Sequence, residues 1–258
     1  MNAEKLARIF NTAALTVLVV FFAGTVSAQQ EDGKEKSPWQ TEAELGYMMT
    51  SGNTDTQNFN TKLDVTREAD RWRHNLHAEA LYSSEEDDDT GEDEATSQKL
   101  QLSGQTNYKF SKASSAYLLG LYEDDRFSGY DYQVTVSSGY ARQFVDSDRM
   151  ELSGEIGPGY RYSKLEDDEA ADDDKGEAII RVGGFFSYRI GEASVFSQEI
   201  IVAAGSEKTI TRSSTAIRSR IAGNLAMKAA YSVKHTSDVP PDTEKTDTET
   251  AVTLVYSF

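Results

Sequence analysis

Residues 249–258 read ETAVTLVYSF, and this stretch decides the fold. Large apolar side chains occupy every second position: Val252, Leu254, Tyr256 and Phe258. The side chains between them begin with Glu249, Ala251 and Thr253. Successive side chains of a β-strand point to opposite faces, so a period of two is typical of a strand with one apolar and one polar face. The stretch therefore predicts a strand that separates two different environments.

The same alternation recurs from Trp39 to the end of the chain, in segments of about ten to fourteen residues. One example sets Leu76, Ala78 and Ala80 against Asn75, His77 and Glu79. About twelve segments of this kind can be placed, a number that suits a closed barrel. The mean hydropathy of −0.56 excludes a bundle of transmembrane helices.

The joints between these segments alternate in length. Tight joints are expected at 69–70, 112–113, 146–147, 191–192 and 222–223, and longer polar joints near 50–56, 84–97, 124–130, 164–176, 205–213 and 237–247. A transmembrane barrel has short turns on its periplasmic side and long loops outside. The sequence therefore predicts an all-β fold, an antiparallel up-and-down transmembrane β-barrel of about twelve strands, with both ends in the periplasm.

Aromatic residues near the predicted strand ends support a membrane barrel. One band is expected towards the tight turns: Trp39, Trp72, Tyr108, Phe110, Tyr117, Tyr140, Tyr188 and Phe196. A second is expected towards the long loops: Tyr47, Phe59, Tyr82, Tyr132 and Tyr160. A soluble barrel or sandwich shows similar alternation. Two aromatic bands and strands of membrane-spanning length favour the membrane.

The N-terminal region has the parts of a secretory signal peptide. Lys5 and Arg8 precede an apolar run at 13–23, and small residues lead up to Ala28. The predicted organisation is a signal peptide at 1–28, a periplasmic linker at 29–37 and the barrel at 38–258. A retained membrane anchor is the alternative, although the apolar run is short for one.

Composition removes several other classes. The chain has no cysteine, which excludes a lipoprotein and a disulfide-stapled fold. Its formal net charge is −17, which argues against nucleic acid as a partner. Outer-membrane lipid and lipopolysaccharide are the expected surroundings of the barrel.

Several motifs follow one another in a recognisable order: Gly46 with Ser51-Gly52-Asn53-Thr54-Asp55-Thr56, Trp72-Arg73-His74, Tyr130-Asp131-Tyr132-Gln133, Gly157-Pro158-Gly159-Tyr160-Arg161-Tyr162 and Tyr256-Ser257-Phe258. Together they resemble the DUF481 family, known as salt-induced outer membrane proteins. The resemblance implies an outer-membrane β-barrel and no established activity. The closing strand, with Tyr256 and Phe258, also resembles the signal that the outer-membrane assembly machinery reads.

Two acidic stretches stand out, EEDDDTGEDE at 85–94 and EDDEAADDD at 166–174. Clustered carboxylates can bind hard cations through oxygen, so Asp87, Asp89, Asp172 and Asp174 are weak metal candidates. Divalent cations there could bridge to lipopolysaccharide phosphates. The alternative is a pair of solvated loops that only raise the surface charge.

Catalytic chemistry has little support. His235-Thr236-Ser237 resembles the His-x-Ser of outer-membrane phospholipase A, but no Asn or Gln follows Asn224 to orient the histidine. His74 and His77 should face opposite sides of their strand. We therefore predict no enzyme, no catalytic residue and no cofactor.

The polar face of the strands carries charges of both signs. The residues expected inside the lumen include Arg181, Arg189, Arg218, Arg220, Lys228, Glu151, Glu155, Glu177 and Glu199. They could pair across the lumen and close it, or line a narrow pore. The predicted function is an outer-membrane barrel with an envelope or salt-stress role, the latter through the family name only. A narrow channel for ions or small solutes is the alternative, and a lipid-modifying enzyme is disfavoured.

Overall fold

The computed structural model describes residues 37–50, 56–86, 93–126, 128–165, 175–240 and 243–258. Within them lie twelve strands: β1 Trp39–Thr50, β2 Thr56–Glu68, β3 Trp72–Glu86, β4 Asp93–Lys109, β5 Ser114–Asp125, β6 Tyr130–Asp146, β7 Met150–Leu165, β8 Lys175–Ile190, β9 Ser194–Gly205, β10 Thr209–Ala222, β11 Leu225–Thr236 and β12 Thr246–Ser257. No helix in these ranges is long and apolar enough to cross a membrane.

The strands form a closed antiparallel barrel. Each pairs with its neighbours in sequence, and β12 pairs back with β1. Both ends of the barrel chain meet at this seam, where the backbone N–H of Phe258 donates to the carbonyl of Thr41 at 2.9 Å. The prediction of an up-and-down barrel of about twelve strands is confirmed.

The short joints lie at one end of the barrel, at 69–71, 110–113, 147–149, 191–193 and 223–224. Gly191 and Gly223 have φ values of 67° and 53°, which favour glycine in such tight turns. At the other end, the joint predicted as long near 205–213 spans only 206–208. That prediction was wrong because residues 209–213, although mostly polar, pair with β9 and extend β10.

The outer wall of the barrel is apolar. Exposed side chains from all around it include Leu45, Leu76, Leu102, Val136, Ile156, Ile180, Ile200, Ile217, Met227 and Leu254. Soluble monomers rarely expose a continuous apolar surface of this kind. The medium that fits this wall is lipid, and the charged side chains face the interior instead.

Two aromatic bands lie towards opposite ends of the wall. Near the short joints, the rings of Trp72, Tyr108, Phe110 and Tyr140 follow one another with centroids 5.0–6.3 Å apart. Near the other end, the Tyr132 ring lies 5.9 Å from Tyr122 and 6.1 Å from Tyr162. Tyr117 is not in the first band as predicted: it is 3% exposed, and its hydroxyl lies 3.2 Å from Ser137 Oγ inside the barrel.

Candidate pore

The barrel encloses a cavity of about 1480 Å³. Its lining residues extend from Lys112 and Asp146, at the short-joint end, to Thr96 and Asp247, at the opposite end. Part of the cavity wall is hydrophilic and includes Lys62 and Asp64 from β2 and Gln101 from β4. The interior therefore contains a large cavity whose lining comes from both ends, unlike small barrels that side chains fill.

The cavity is narrowed at one level by contacts that cross the lumen. Glu123 on β5 accepts hydrogen bonds from Nη2 of Arg212 on β10, at 2.6 and 2.7 Å, and lies 3.7 Å from Nζ of Lys234 on β11. In a ring of twelve strands, β10 and β11 lie on the opposite side from β5. We call Glu123, Arg212 and Lys234 the transverse bridge. It is the candidate constriction of the pore.

Other charges pair along the wall rather than across it. Arg181 on β8 binds Glu155 on β7, and Arg161 on β7 binds Glu177 on β8 at 2.6 Å. These pairs join neighbouring strands, so they lie along the wall and do not bridge opposite sides of the lumen. Glu151 and Glu199, from the predicted set, line the same cavity.

Two predicted lumen cations reach β1. Nη1 of Arg218 lies 2.6 Å from Glu42 Oε1, and Nζ of Lys228 lies 2.7 Å from Glu44 Oε1. The same glutamates also contact β12, because Glu42 accepts from Ser257 Oγ at 3.0 Å and Glu44 from Thr253 Oγ1 at 3.3 Å. These contacts fasten the closing seam from inside.

Arg189 and Arg220, also predicted in the lumen, are exposed at the short-joint end. Nη2 of Arg220 donates to the Glu192 carbonyl at 3.2 Å, and the backbone N–H of Arg189 donates to the Arg149 carbonyl at 2.8 Å. They belong to the rim of the barrel.

Sequence reasoning missed three residues of the interior, and two of them, Arg212 and Lys208, were missed because they fell in the joint expected at 205–213. Counting back from Arg218 two residues at a time gives Ala216, Ser214 and Arg212. The alternation of side chains therefore predicts that Arg212 faces the lumen as Arg218 does. Glu123 was missed because Leu118-Leu119 blurs the pattern of β5.

The candidate serine and histidine make separate hydrogen bonds. His235 Nδ1 lies 2.8 Å from Thr246 Oγ1, whereas Ser237 Oγ accepts from the backbone N–H of Thr209 at 2.9 Å. A nucleophilic serine needs its histidine within hydrogen-bonding reach. His74 stacks on Trp72 with centroids 6.1 Å apart, and His77 binds Asp64 at 2.7 Å inside the barrel.

The weak metal candidates Asp87, Asp89, Asp172 and Asp174 lie outside the described residues. In the ranges that are described, no group of three or more His, Asp or Glu could hold a metal ion. Tyr256 and Phe258, the predicted assembly signal, lie on the outer wall with ring centroids 4.8 Å apart.

A closed barrel with an apolar outside, two aromatic bands and a charged interior defines a transmembrane β-barrel. The chain belongs to the family described as "Protein of unknown function, DUF481", whose model matches residues 43–258. It is 25% identical to the uncharacterized protein YdiY of Escherichia coli (strain K12), over 90% of this chain and 88% of that one.

Solved structures of outer-membrane barrels are similar to this chain. The COG4313 outer membrane channel from Pseudomonas putida F1 matches with a TM-score of 0.50 and 9% identity, over 91% of this chain and all of that one. The NanC porin matches with a TM-score of 0.48 and 11% identity, over 84% and 97%. At such low identity, the likeness to the COG4313 channel speaks for the fold alone.

Proposed function

We propose that this protein is a narrow outer-membrane channel for ions and small hydrophilic solutes. The observation that carries the proposal is the cavity of about 1480 Å³, whose lining residues reach both ends of the barrel. A barrel with only a structural role in the envelope has no need of a large hydrophilic cavity, since side chains can fill a small barrel.

The chemistry of the lining defines the solutes. The cavity is lined by Lys62, Asp64, Glu151 and Glu199 and by neutral polar residues such as Gln101. Charges of both signs hold water and exclude apolar molecules. The transverse bridge limits the size of what passes, because its three side chains meet in the lumen.

Solute flux through proteoliposomes tests the proposal. Vesicles that contain the purified barrel should swell in isotonic glycine and stay unchanged in an equally concentrated trisaccharide, because the bridge excludes the larger solute. Vesicles without protein are the control. Equal behaviour of loaded and empty vesicles in glycine, with the barrel folded, would contradict the channel.

The proposal includes the location. The signal peptide at 1–28 is removed after Ala28, the barrel inserts into the outer membrane, and the short joints face the periplasm. The apolar wall and the aromatic bands support membrane insertion. Membrane fractionation and N-terminal sequencing test it: the mature chain should begin at Gln29 and separate with outer-membrane markers. A chain that retains its first residues in the inner membrane would contradict it.

A further inference from the structure

The joint between β9 and β10, residues 206–208, folds into the mouth of the barrel. Lys208 is only 6% exposed, although Ser206 and Glu207 beside it are exposed. The backbone N–H of Gly205 donates to the carbonyl of Lys208 at 3.1 Å and closes the turn. We call residues 206–208 the inward turn.

A carboxylate and a guanidinium inside the barrel hold the inward turn. Glu177 Oε2 accepts from the backbone N–H of Glu207 at 2.8 Å and of Lys208 at 3.4 Å. Arg161 Nη2 donates to the Lys208 carbonyl at 2.6 Å and also to Glu177 Oε1 at 2.6 Å. Glycine at 205 leaves room for this carboxylate, since a Cβ there would displace the Glu177 side chain from its position.

The side chain of Lys208 extends across part of the mouth. Its Nζ lies 3.2 Å from Ser163 Oγ on β7 and 3.7 Å from the ring centroid of Tyr130, where β6 begins. The ammonium therefore meets a neutral hydroxyl and an aromatic face while Arg161, another cation, lies beside it. Burial, followed by the charge of Arg161, lowers the pKa of Lys208 to about 7.

We propose that the inward turn is the gate of the pore: with Lys208 uncharged it stays folded into the mouth, and charging Lys208 moves it outward. The proposal rests on the channel function, because a gate controls passage only through an open lumen. The charged groups that act on Lys208 are Arg161 from β7, Glu177 from β8, Lys234 from β11 and Glu123 from β5. Both glutamates are already engaged, by Arg161 and by Arg212.

The direction of the pH dependence follows from the lowered pKa of Lys208. Its pKa in the inward turn, about 7, is below its ordinary value of 10.5. The inward position therefore gains stability as the pH rises from 7 to 10.5, and below 7 that gain is absent. Within this window the equilibrium between inward and outward positions should change by about tenfold per pH unit.

Conductance against pH provides the first test. Wild-type channels should conduct less at pH 9.5 than at pH 6.5, and Lys208→Met should remain in the low-conductance state at both. Lys245→Met is the matched control, because Lys245 is exposed in the neighbouring joint, and its channels should follow the wild type. A Lys208→Met channel that keeps the wild-type pH dependence, or a wild type without any, would overturn the gate.

Thiol labelling tests the movement without relying on conduction, since the chain has no cysteine of its own. Ser163→Cys places a thiol beneath the inward turn, and Asp238→Cys provides an exposed reference. The rate of labelling with a membrane-impermeant maleimide at position 163, divided by the rate at position 238, should be higher at pH 6.5 than at pH 9.5. A constant ratio refutes the gate. A ratio that changes in a barrel that never conducts refutes the channel function and shows that the turn moves without gating it.

Discussion

At the scale of single residues, the barrel interior contains charged side chains that are buried and form ion pairs. Arg181 and Glu155 have side chains only 8% and 4% exposed, and Glu155 also accepts from Gln105 Nε2 at 3.2 Å. A buried ion pair contributes little net stability compared with apolar residues, but the loss of one partner leaves an uncompensated charge. Such pairs therefore fix the wall geometry of the lumen.

Glu155→Gln should lower the free energy of unfolding by about 3 kcal/mol, because Arg181 loses its counter-ion in the interior. Glu151→Gln is the matched control on the same strand, where the exposed side chain should change stability by less than about 0.5 kcal/mol. Urea unfolding of the barrel in detergent micelles, followed by tryptophan fluorescence, measures both. Equal stabilities of the two variants would contradict the assignment.

A separate prediction concerns the side chain of Phe258. Phe258→Ala should reduce the amount of folded barrel in the outer membrane, because we propose that the assembly machinery reads the aromatic residues of the closing strand. Phe144→Ala removes a comparable ring, 61% exposed against 66% for Phe258, from elsewhere on the wall. Quantitative blotting of membrane fractions compares them. The assembly signal would be wrong if both variants were inserted equally.

At the scale of strands, the closing seam is the weakest part of the barrel. The ladder between β1 and β12 has four residue pairs, whereas that between β3 and β4 has fifteen. Glu42 and Glu44 compensate from inside, because each joins β12 to a cation farther along the wall. The seam is therefore held by side chains as much as by the backbone.

The double variant Glu42→Gln/Glu44→Gln should unfold at a lower temperature than the wild type, since Arg218 and Lys228 lose the anions that draw β1 towards β10 and β11. Heat-dependent mobility on SDS gels reports the unfolding of the barrel. Glu68→Gln, whose half-exposed carboxylate pairs with Lys109 at 2.6 Å, controls for the loss of an ion pair at the rim. A double variant as stable as this control would show that the backbone ladder alone closes the seam.

The strands themselves could be predicted because alternation is a local signal. It failed at Tyr117, since β5 has leucines on both faces at 118 and 119 and its two sides look alike in the sequence. It also failed at residues 209–213, where four polar side chains out of five suggest a loop although the backbone pairs with β9. A polar segment can therefore remain part of a strand where the backbone of the neighbouring strand continues to pair with it.

At the scale of the whole molecule, the sequence could not predict which charged residues pair with one another inside the lumen. Alternation shows that Lys234 faces inward, but the stagger of twelve strands decides that it meets Glu123 from the opposite side. Stagger is a property of the closed barrel, so no local pattern contains it. The charges do both: some pair along the wall around the cavity, whereas Glu123, Arg212 and Lys234 meet across the lumen. Lys234 also lies 3.6 Å from Asp125 on β5.

The central claim is a water-filled pore narrowed by the transverse bridge, and single-channel conductance in planar bilayers tests it most directly. Wild-type barrels should give small, stable steps in potassium chloride. Arg212→Gln/Lys234→Gln should give larger steps with greater preference for potassium, because the bridge opens and the charge of Glu123 becomes available to cations. Arg71→Gln is the control: Arg71 lies in the short joint between β2 and β3, and its channels should match the wild type. Silence across many insertions of folded wild-type barrel, or identical steps from the double variant, would contradict the account.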